Sequence, residues 1–333
     1  MGQSGSLTPH EATGALAANR AWAVVLDAAD RAAELASRDA VAAFAIADPR
    51  ADDEGLLVPV PLSHPDAALI WRPESGWDLR LPADDARHPH IDLYLPMCSA
   101  IPTRPITVGH LGQSLDGFIA THSGDSQFVT GAENIRHLHR MRALSDAIVV
   151  GAGTVAADNP QLTTRHVEGP NPIRVILDPG RRLRDHYKVF SDDAVETIYV
   201  CGRSAVHEGE TSVGRAAILA VEERDGGLDV TAVLALLRAR GCHRIFVEGG
   251  GVTVSMFLEA GLLDRLQVAI APLIIGDGRP AIRLSAPKVL SECARPRYRV
   301  FRMGGDVFFD CDLKSAATGN EGTDAGLGVS RVI

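Results

Sequence analysis

The sequence predicts an α/β fold with a buried sheet over residues 101–314, preceded by an α+β extension over residues 1–100. Two observations lead to this fold class. Short runs rich in Val and Ile alternate with helical or loop segments, as is typical of strands covered on both faces; these runs are "DAIVVG", "IRVILD", "TIYVCG" and "RIFVEGG". The pattern also changes near residue 105, where proline-broken segments give way to this regular alternation.

The N-terminal extension is predicted to combine helix and strand. Residues 12–46 are rich in Ala, and their larger apolar residues recur at helical spacing, which favours one or two amphipathic helices packed on a core. The segment "ALIWRPESGWDLRL" predicts two strands around a Pro-Glu-Ser-Gly turn. These patterns assign no functional role to the extension.

The second region begins with a strand in "PITVGHLGQSLDGFIA" and continues into a helix in "GAENIRHLHRMRALS". Two further helices, in "DVTAVLALLRARG" and "VTVSMFLEAG", are predicted to end at Gly241 and Gly261, because Gly commonly follows a helix. The segment "YRVFRMGGDVFFDCDL" predicts a hairpin that turns at Gly304 and Gly305. Residues 315–333 are rich in Gly, Ser and Thr and are expected to form a disordered tail.

In the helix predicted in "GAENIRHLHRMRALS", the apolar residues that share one face predict which side packs on the sheet. They are Ile135, Leu138, Met141 and Leu144.

The composition is that of a globular chain. The 333 residues are 46% hydrophobic and 23% charged, with a formal net charge of −9 and a pI near 5.7. The acidic balance argues against a dedicated nucleic-acid binder, and no apolar run approaches the roughly 18 residues of a membrane span. The five cysteines are scattered without a Cys-x-x-Cys pair, which predicts reduced thiols in the cytoplasm and no metal site.

The segment "DAIVVGAGTVAADNPQLTTR", residues 146–165, satisfies the dinucleotide fingerprint Gly-x-Gly-x-x-Gly/Ala directly after a strand. A Rossmann unit needs a full crossover helix at this point. Pro160 disfavours helix at the preceding residue, so the helix must stop near Asn159, less than two turns after Thr154. A standard Rossmann site is therefore not predicted.

The same segment still suits a nucleotide. Gly151 allows a close backbone approach, Thr154 can cap a short helix, and Arg165 can clamp an anion. Asp158 lies one helical turn after Thr154 on the same face. The alternative is a plain glycine turn with a capping threonine. A second strand–glycine–helix junction, in "RIFVEGGGVTVSMFLEAG", offers another anion site, and two such loops suit a ligand with several phosphates, such as a dinucleotide.

Several motifs occur in one order along the second region: "GQSLDGFIA", "SGDSQFVTGAEN", "HRMRALSDAIVVGAGTVAADNPQLTTR", "IRVILD", "FVEGGG" and "EAGLLDRLQVAIAPLIIGDG". Together they resemble the riboflavin-pathway pyrimidine reductase, the reductase half of a bifunctional deaminase/reductase, over about residues 104–313. The resemblance implies a dihydrofolate-reductase-like fold, a mixed, mostly parallel sheet flanked by helices, in a homodimer. It implies an oxidoreductase that uses NADPH to reduce 5-amino-6-(5-phosphoribosylamino)uracil from its ribosyl to its ribityl form in riboflavin biosynthesis.

The resemblance also implies site positions. The residues at cofactor positions are Gly112, Phe128, Gly151, Thr154, Asp158, Gly249, Gly250, Gly251, Val252 and Thr253. The residues at substrate positions are Ser126, Arg142, Leu162, Arg165 and Glu248, with the two arginines near the sugar phosphate. Local alternatives stay open: Arg142 can bind the last carbonyls of its helix, and Phe128 can be a core residue.

Two basic clusters are candidates for the cofactor 2′-phosphate. Arg203 and Ser204, in "VCGRS", follow a strand at the edge where ribose phosphates often bind. Arg181 and Arg182, after "ILDPG", are the rival cluster. A solvated basic turn is the alternative to both.

In the implied reaction the ribosylamine opens to an imine, hydride passes to the first sugar carbon, and the nitrogen takes a proton. Glu248 and Asp116 are the candidate proton donors, and water is an equal alternative. Asp116 either lies near the nicotinamide or fixes the turn at Gly117.

The chain departs from the family pattern in three ways. Residues 1–100 lack the His-x-Glu and Pro-Cys-x-x-Cys motifs of a zinc deaminase, so no deaminase is expected there. His110 stands where the family usually has Lys, and Phe128 replaces a common Trp. "ADNP" replaces the common "ADDP". Two alternatives therefore remain: the same fold and cofactor acting on a pterin, dihydrofolate or a secondary-metabolite pyrimidine, or a non-catalytic nucleotide-binding or assembly protein.

Overall fold

The computed structural model describes residues 9–47, 56–224 and 227–316. It divides into two compact units, Met1–Pro105 and Ile106–Ile333. The tail predicted to be disordered, residues 315–333, lies outside the described residues from residue 317 onward. In the part of the chain that is described, no helix is both long and apolar enough to cross a membrane.

The first unit is an antiparallel sheet packed with two helices. Its elements are α1 (Pro9–Ser37), β1 (Ala42–Ile46), β2 (Leu57–Val60), β3 (Leu69–Arg72), β4 (Gly76–Leu79) and α2 (His88–Cys98), with strand order β2-β1-β3-β4. The β3–β4 pair confirms the predicted strands around the Pro-Glu-Ser-Gly turn. The helical prediction for residues 12–46 is wrong at its end, because Ala42–Ile46 pairs with strands on both sides and is β1.

An aromatic cluster fills the core of this unit. Trp71 is fully buried, and its ring lies 5.3 Å from that of Trp77 in a T-shaped contact. The indole Nε1 of Trp77 donates to the carbonyl of Ala28 on α1 at 3.0 Å. These contacts give the unit a core of its own, as a separate folding unit requires.

The second unit is built on a larger sheet. Its elements are β5 (Ile106–Ser114), β6 (Phe118–Ala120), α3 (Ala132–Leu144), β7 (Ala147–Gly151), α4 (Ala152–Asp158), β8 (Ile173–Leu177), α5 (Lys188–Ser191), β9 (Thr197–Gly202), β10 (Ser212–Val213), β11 (Ala216–Val221), β12 (Glu223–Arg224), β13 (Gly227–Leu228), α6 (Val230–Ala239), β14 (Arg244–Val247), α7 (Gly251–Glu259), β15 (Arg265–Ala271), β16 (Arg279–Pro280), β17 (Pro296–Met303) and β18 (Asp306–Ala316).

Ten of these strands form one sheet, in the order β10-β11-β9-β8-β7-β14-β5-β15-β18-β17. The strands from β11 through β15 in this order pair in parallel, whereas β10 and the β17–β18 hairpin pair antiparallel at the two ends. This arrangement confirms the mixed, mostly parallel sheet flanked by helices. The central strands are buried on both faces, which explains their continuous runs of Val and Ile.

The helix ends and the hairpin turn that were predicted at glycines are confirmed, and the start of α6 has a side-chain cap. Asp229 caps α6 by accepting from the backbone N–H groups of Thr231 and Ala232. Gly241 and Gly261 follow α6 and α7 with φ values of +87° and +66°, the left-handed conformation that Gly adopts most easily. Gly304, with φ +65°, turns the β17–β18 hairpin.

Candidate active site

The two glycine loops predicted from the sequence lie side by side. β7 and β14 are adjacent and parallel, so the loops after them, at Gly151 and Gly249–Gly251, meet at the same edge of the sheet. Ligands of open α/β sheets bind at the carboxyl ends of the strands. This edge is therefore the candidate active site.

The helix after the first loop has the short length that the sequence predicts. α4 ends at Asp158, and Asn159 adopts a left-handed conformation with φ 42°. The side chain of Asn159 then accepts a hydrogen bond from the backbone N–H of Lys188 at 2.9 Å, which fixes the exit of the chain. The exclusion of a standard Rossmann unit is confirmed.

The two loops interlock through threonine hydroxyls. The backbone N–H of Gly250 donates to Oγ1 of Thr154 at 3.0 Å. A Cβ at Gly249, whose φ is +103°, would lie 2.7 Å from the same hydroxyl. A Cβ at Gly151 would overlap the hydroxyl of Thr253 on the opposite loop. These glycines are thus required by contacts within the protein.

Thr154 does not cap α4, in contrast to the sequence-based interpretation. The residue before α4 is Gly151, and no side chain caps it. Thr154 lies inside the helix, and its hydroxyl is used by the other loop. The local pattern could not reveal this use, because the partner is 96 residues away in sequence.

The edge is open in other places. A Cβ at Gly153 would meet nothing within 4 Å. α7 begins after Gly250 without a side-chain cap, and Val252 in its first turn is 63% exposed. In this first turn the N–H of Thr253 donates to the carbonyl of Gly250 at 3.1 Å, so an anion at the start of α7 would meet the N–H groups of Gly251 and Val252.

A buried ion pair joins α3 to the end of β14. Nε of Arg142 donates to Oε2 of Glu248 at 3.0 Å, and Nη2 donates to Oε1. Both side chains are less than a tenth exposed. The third nitrogen of Arg142 points to the carbonyl of Thr163 at 3.4 Å. Both carboxylate oxygens of Glu248 thus accept hydrogen bonds from Arg142, and the fork of Arg142 is already occupied.

Arg165 lies in the same cluster with a guanidinium that is mostly unused. Its Nη1 donates to the hydroxyl of Thr163 at 3.0 Å, and among the described residues no carboxylate lies within ion-pair distance of it. Burial, followed by the positive charge of Arg142, lowers the pKa of Arg165. A partly desolvated arginine beside a second arginine favours an incoming anion.

His139 supports this arginine from α3. Its Nδ1 accepts the backbone N–H of Arg165 at 3.0 Å, and its ring lies 4.5 Å from that of His166. Burial, the neighbouring arginines and His166 lower the pKa of His139 to about 3. His139 is therefore neutral at ordinary pH, and the acceptor at Nδ1 is maintained.

Asp116 fixes a turn at the end of β5. It accepts from the hydroxyl of Ser114 and from the backbone N–H groups of Ile275 and Gly276, at 3.2 and 2.7 Å. These bonds, with that of Ser114 first, lower the pKa of Asp116. The geometry supports the turn-fixing alternative, and both carboxylates considered as proton donors act here as acceptors.

Two predicted residues, Ser126 and Phe128, lie in the segment before α3, and the first of them contacts α4. Ser126 Oγ lies 3.4 Å from Oδ1 of Asp158. Phe128 has a φ of 62° and is 84% exposed, so it is not a core residue. A Cβ at Gly112 would lie 2.8 Å from Thr130 in the same segment, so Gly112 makes room for Thr130.

Leu162 is the predicted substrate residue with the deepest position. It is buried and has a φ of 57°. It immediately precedes Thr163, and this left-handed turn helps to aim Thr163 at the two arginines.

The residues predicted for the 2′-phosphate are already paired. Arg203 donates to Glu222, and the hydroxyl of Ser204 donates to Oε1 of Glu223 at 2.6 Å. The rival cluster is paired as well. Arg181 binds Glu210 with two nitrogens, and Arg182 donates to Asp178 at 3.2 Å.

Some site residues were missed because their signals are weak in the sequence. His139 stands three residues before Arg142 on α3, so helical spacing alone could have placed both on one face. The predicted apolar face of α3 is wrong in its first half, since Ile135 is exposed whereas Asn134, His137 and His139 are buried. The reason is that the first half of α3 packs against polar side chains of the sheet, His110 and Gln267, and not against apolar ones.

Exposed apolar side chains surround the same edge. Leu115 follows β5, Val252 starts α7 and Ile274 follows β15, and all three are more than half exposed. Large exposed apolar residues at one edge are typical of a ligand-binding surface. Within the described ranges, no group of His, Cys, Asp and Glu side chains is arranged to hold a metal ion.

Comparison with protein families gives a match over most of the second unit. The model of the RibD C-terminal domain matches residues 106–298. A reductase of Methanothermobacter thermautotrophicus, named 2,5-diamino-6-ribosylamino-4(3H)-pyrimidinone 5′-phosphate reductase, is 35% identical over 218 residues, which are 63% of this chain and 99% of the relative. The riboflavin biosynthesis protein RibD of Escherichia coli is 31% identical over 212 residues, and the match covers 59% of this chain and 57% of that protein.

Solved structures agree with this match. The bifunctional deaminase/5-amino-6-(5-phosphoribosylamino)uracil reductase of Thermotoga maritima is 27% identical, with a TM-score of 0.51 over 69% of this chain and 62% of that chain. RibD of Acinetobacter baumannii has a TM-score of 0.53 at 22% identity, covering 69% of this chain and 63% of that chain, and shares the fold. This chain thus spans less than two thirds of these bifunctional relatives.

Proposed function

Because this chain belongs to the RibD C-terminal domain family, we propose that it is a pyrimidine reductase of riboflavin biosynthesis. Its proposed substrate is 5-amino-6-(5-phosphoribosylamino)uracil, whose ribosyl group becomes ribityl. The proposal rests on the different states of two neighbouring arginines. Arg142 is paired with Glu248, whereas Arg165 keeps its guanidinium fork for the substrate phosphate. This cluster lies at the sheet edge that carries the two glycine loops.

The proposed hydride donor is a nicotinamide dinucleotide, and the family resemblance implies NADPH. The donor supplies hydride when bound. The start of α7 suits its pyrophosphate, because it has no side-chain cap and Val252 in its first turn is exposed, although Gly251 is buried. An added Cβ at Gly153 would meet nothing within 4 Å, so the start of α4 is accessible, and Phe128 offers an exposed ring two residues after Ser126, which contacts Asp158.

The chain's own residues then align the substrate. Arg165 binds the sugar phosphate, and neutral His139 holds the backbone of Arg165 in place. Arg142 cannot offer its fork to the phosphate while Glu248 occupies it, so we assign the pair a positioning role. Fixed alignment of the reacting groups supplies much of the rate of such a transfer.

Water is the proposed proton source. The reduced carbon gains hydride, and the adjacent nitrogen takes one proton as the imine becomes an amine. Glu248 and Asp116 both accept hydrogen bonds from neighbours in this structure. A water molecule at the open edge can donate without breaking either set of bonds.

The direct test is reduction by the purified full chain, followed as loss of reduced-nicotinamide absorbance. The substrates are the phosphoribosylaminouracil, the 2,5-diaminopyrimidinone form named for the archaeal relatives, and dihydrofolate. Turnover of the uracil form supports the proposal. Faster turnover of the diamino form would instead assign the diaminopyrimidinone ring, and not the uracil ring, to the substrate. Binding of cofactor without turnover of any of the three would contradict the proposal.

We also propose a homodimer in the cytoplasm. The edge strand β17 pairs only with β18 among the described strands, and Tyr298 on it is largely exposed, as expected of a strand that another chain covers. All five cysteines are free, which supports a reducing compartment. Light scattering that gave a monomer mass, or recovery of the native protein with disulfides, would contradict these parts of the proposal.

A further inference from the structure

At the carboxyl end of β9, the exposed carboxylate of Glu223 lies against Ser204. Oε1 of Glu223 accepts the hydroxyl of Ser204 at 2.6 Å, and Oε2 lies 3.5 Å from the backbone nitrogen of Ser204. A Cβ at Gly202 would lie 2.5 Å from Oε1 of the same carboxylate. The carboxylate of Glu223 thus lies against the Cα of Gly202 and contacts the hydroxyl and the backbone nitrogen of Ser204. An oxygen of a bound phosphate would make the same contacts.

Chain topology places Glu223 at this position. β11 pairs in parallel with β9, and Val221 at its end is level with Gly202. The chain turns immediately into β12, which begins at Glu223 and pairs with β13. The side chain of Glu223 is consequently directed across the end of β9, where Gly202 leaves room.

This position is within reach of the cofactor that the proposed function requires, and the inference rests on that function. β9 is two strands from β7 in the sheet, about 10 Å at the usual strand spacing. A dinucleotide whose pyrophosphate lies on the glycine loops can therefore reach β9 with its adenosine ribose.

The surrounding charges do not favour a phosphate. Arg203 is paired with Glu222, Arg181 with Glu210, and Arg182 with Asp178. These three arginines are thus each paired with a carboxylate, and Glu223 adds a further carboxylate at this end of the sheet. The pair of Arg203 and Glu222 is exposed and can rearrange, but such a movement leaves the Glu223 carboxylate at Ser204.

We propose that Glu223 sets the cofactor preference of this chain by occupying the place of a 2′-phosphate. The hydroxyl groups of an unphosphorylated adenosine ribose can donate to its carboxylate, as acidic residues do in other dinucleotide sites. A 2′-phosphate would meet like charge and would have to displace Glu223 from Ser204. The chain consequently binds NADH more tightly than NADPH.

The test compares the dissociation constants of NADH and NADPH for the full chain and for Glu223→Gln, measured by fluorescence titration. The substitution keeps the shape and removes the charge. We expect the ratio of the NADPH constant to the NADH constant to fall about tenfold or more, which corresponds to the loss of one charge-assisted contact. The matched control is Glu208→Gln, which removes one charge from the exposed turn after Ser204 and should leave the ratio unchanged.

The outcomes separate this inference from the proposed function. An unaltered chain that prefers NADPH tenfold, or an unchanged ratio in Glu223→Gln, overturns the inference while reduction of the pyrimidine still stands. An equal fall in the ratio for Glu208→Gln overturns it too, since net charge alone would then explain the effect. A chain that binds neither cofactor contradicts both.

Discussion

Arg142 and Arg165 are neighbours in the candidate active site, but their guanidinium groups are in different states. Arg142 is buried and donates to both oxygens of Glu248. Arg165 donates only to the hydroxyl of Thr163 among the hydrogen bonds described for its guanidinium. Removing one member of a buried pair leaves an uncompensated charge, whereas removing an open cation costs the fold little. The two arginines should therefore give opposite phenotypes.

Arg165→Ala should raise the substrate KM about 10- to 100-fold, the value of one or two charge-assisted hydrogen bonds to phosphate. The dissociation constant of the cofactor and the unfolding midpoint should remain near those of the unaltered chain. Steady-state kinetics, cofactor titration and thermal unfolding provide the three readouts. An unchanged KM would remove Arg165 from the phosphate site.

Arg142→Met serves as the matched comparison. It should lower the free energy of unfolding by about 3–5 kcal/mol, because Glu248 then remains buried without its partner. Denaturant unfolding measures the loss. A stable Arg142→Met variant with a raised substrate KM would instead restore Arg142 to the phosphate site.

At the scale of elements, the two glycine loops are fixed by steric fit. Gly151 has an ordinary φ of −85°, so an alanine there is not strained by its backbone. The added Cβ would instead overlap the hydroxyl of Thr253. Gly151→Ala should cost about 1–3 kcal/mol of stability, as overpacking does.

A second substitution isolates this cause. Thr253→Ala removes the hydroxyl, so the double variant should recover most of the stability that Gly151→Ala loses. Denaturant unfolding of the two single variants and the double variant gives the coupling energy. Additive losses would show that overlap with the Thr253 hydroxyl is not what destabilises Gly151→Ala.

These elements also show what the sequence could predict. The end of α4 followed from Pro160, a rule that acts on the neighbouring residue. The strands and the turn at Gly241 likewise followed from patterns of neighbouring residues. The pair of Arg142 and Glu248 joins residues 106 positions apart, and no local pattern signals it. Such contacts decide which predicted site residues are free to bind a ligand, and only the folded chain reveals them.

In the second unit as a whole, a polar layer lies buried between α3 and the sheet. Nε2 of His110 is 3.0 Å from Oδ1 of Asn134, and the amide of Asn134 donates to Thr130 at 2.9 Å. His137 contacts Gln267 at 3.0 Å in the same layer. His110, at the position where the family resemblance leads us to expect Lys, is 3% exposed and is thus buried in this layer.

This layer links the stability of the fold to pH. Burial lowers the pKa of His110 to about 4, below its value of 6.5 when unfolded. Between these values the unfolded chain binds the proton and the folded chain does not, so stability is full above about pH 6.5 and is lost as pH falls. The loss attributable to His110 is about 3 kcal/mol by pH 4.

His110→Gln should flatten this dependence, because glutamine can still donate to Asn134 but does not titrate. Urea unfolding at a series of pH values from 7 to about 4 gives the free energy of unfolding for both chains. The variant should lose less stability than the unaltered chain over this range, even if it starts lower at pH 7. Two parallel curves would mean that His110 titrates with the same pKa in the folded and the unfolded chain, so the layer would not exclude solvent from this residue.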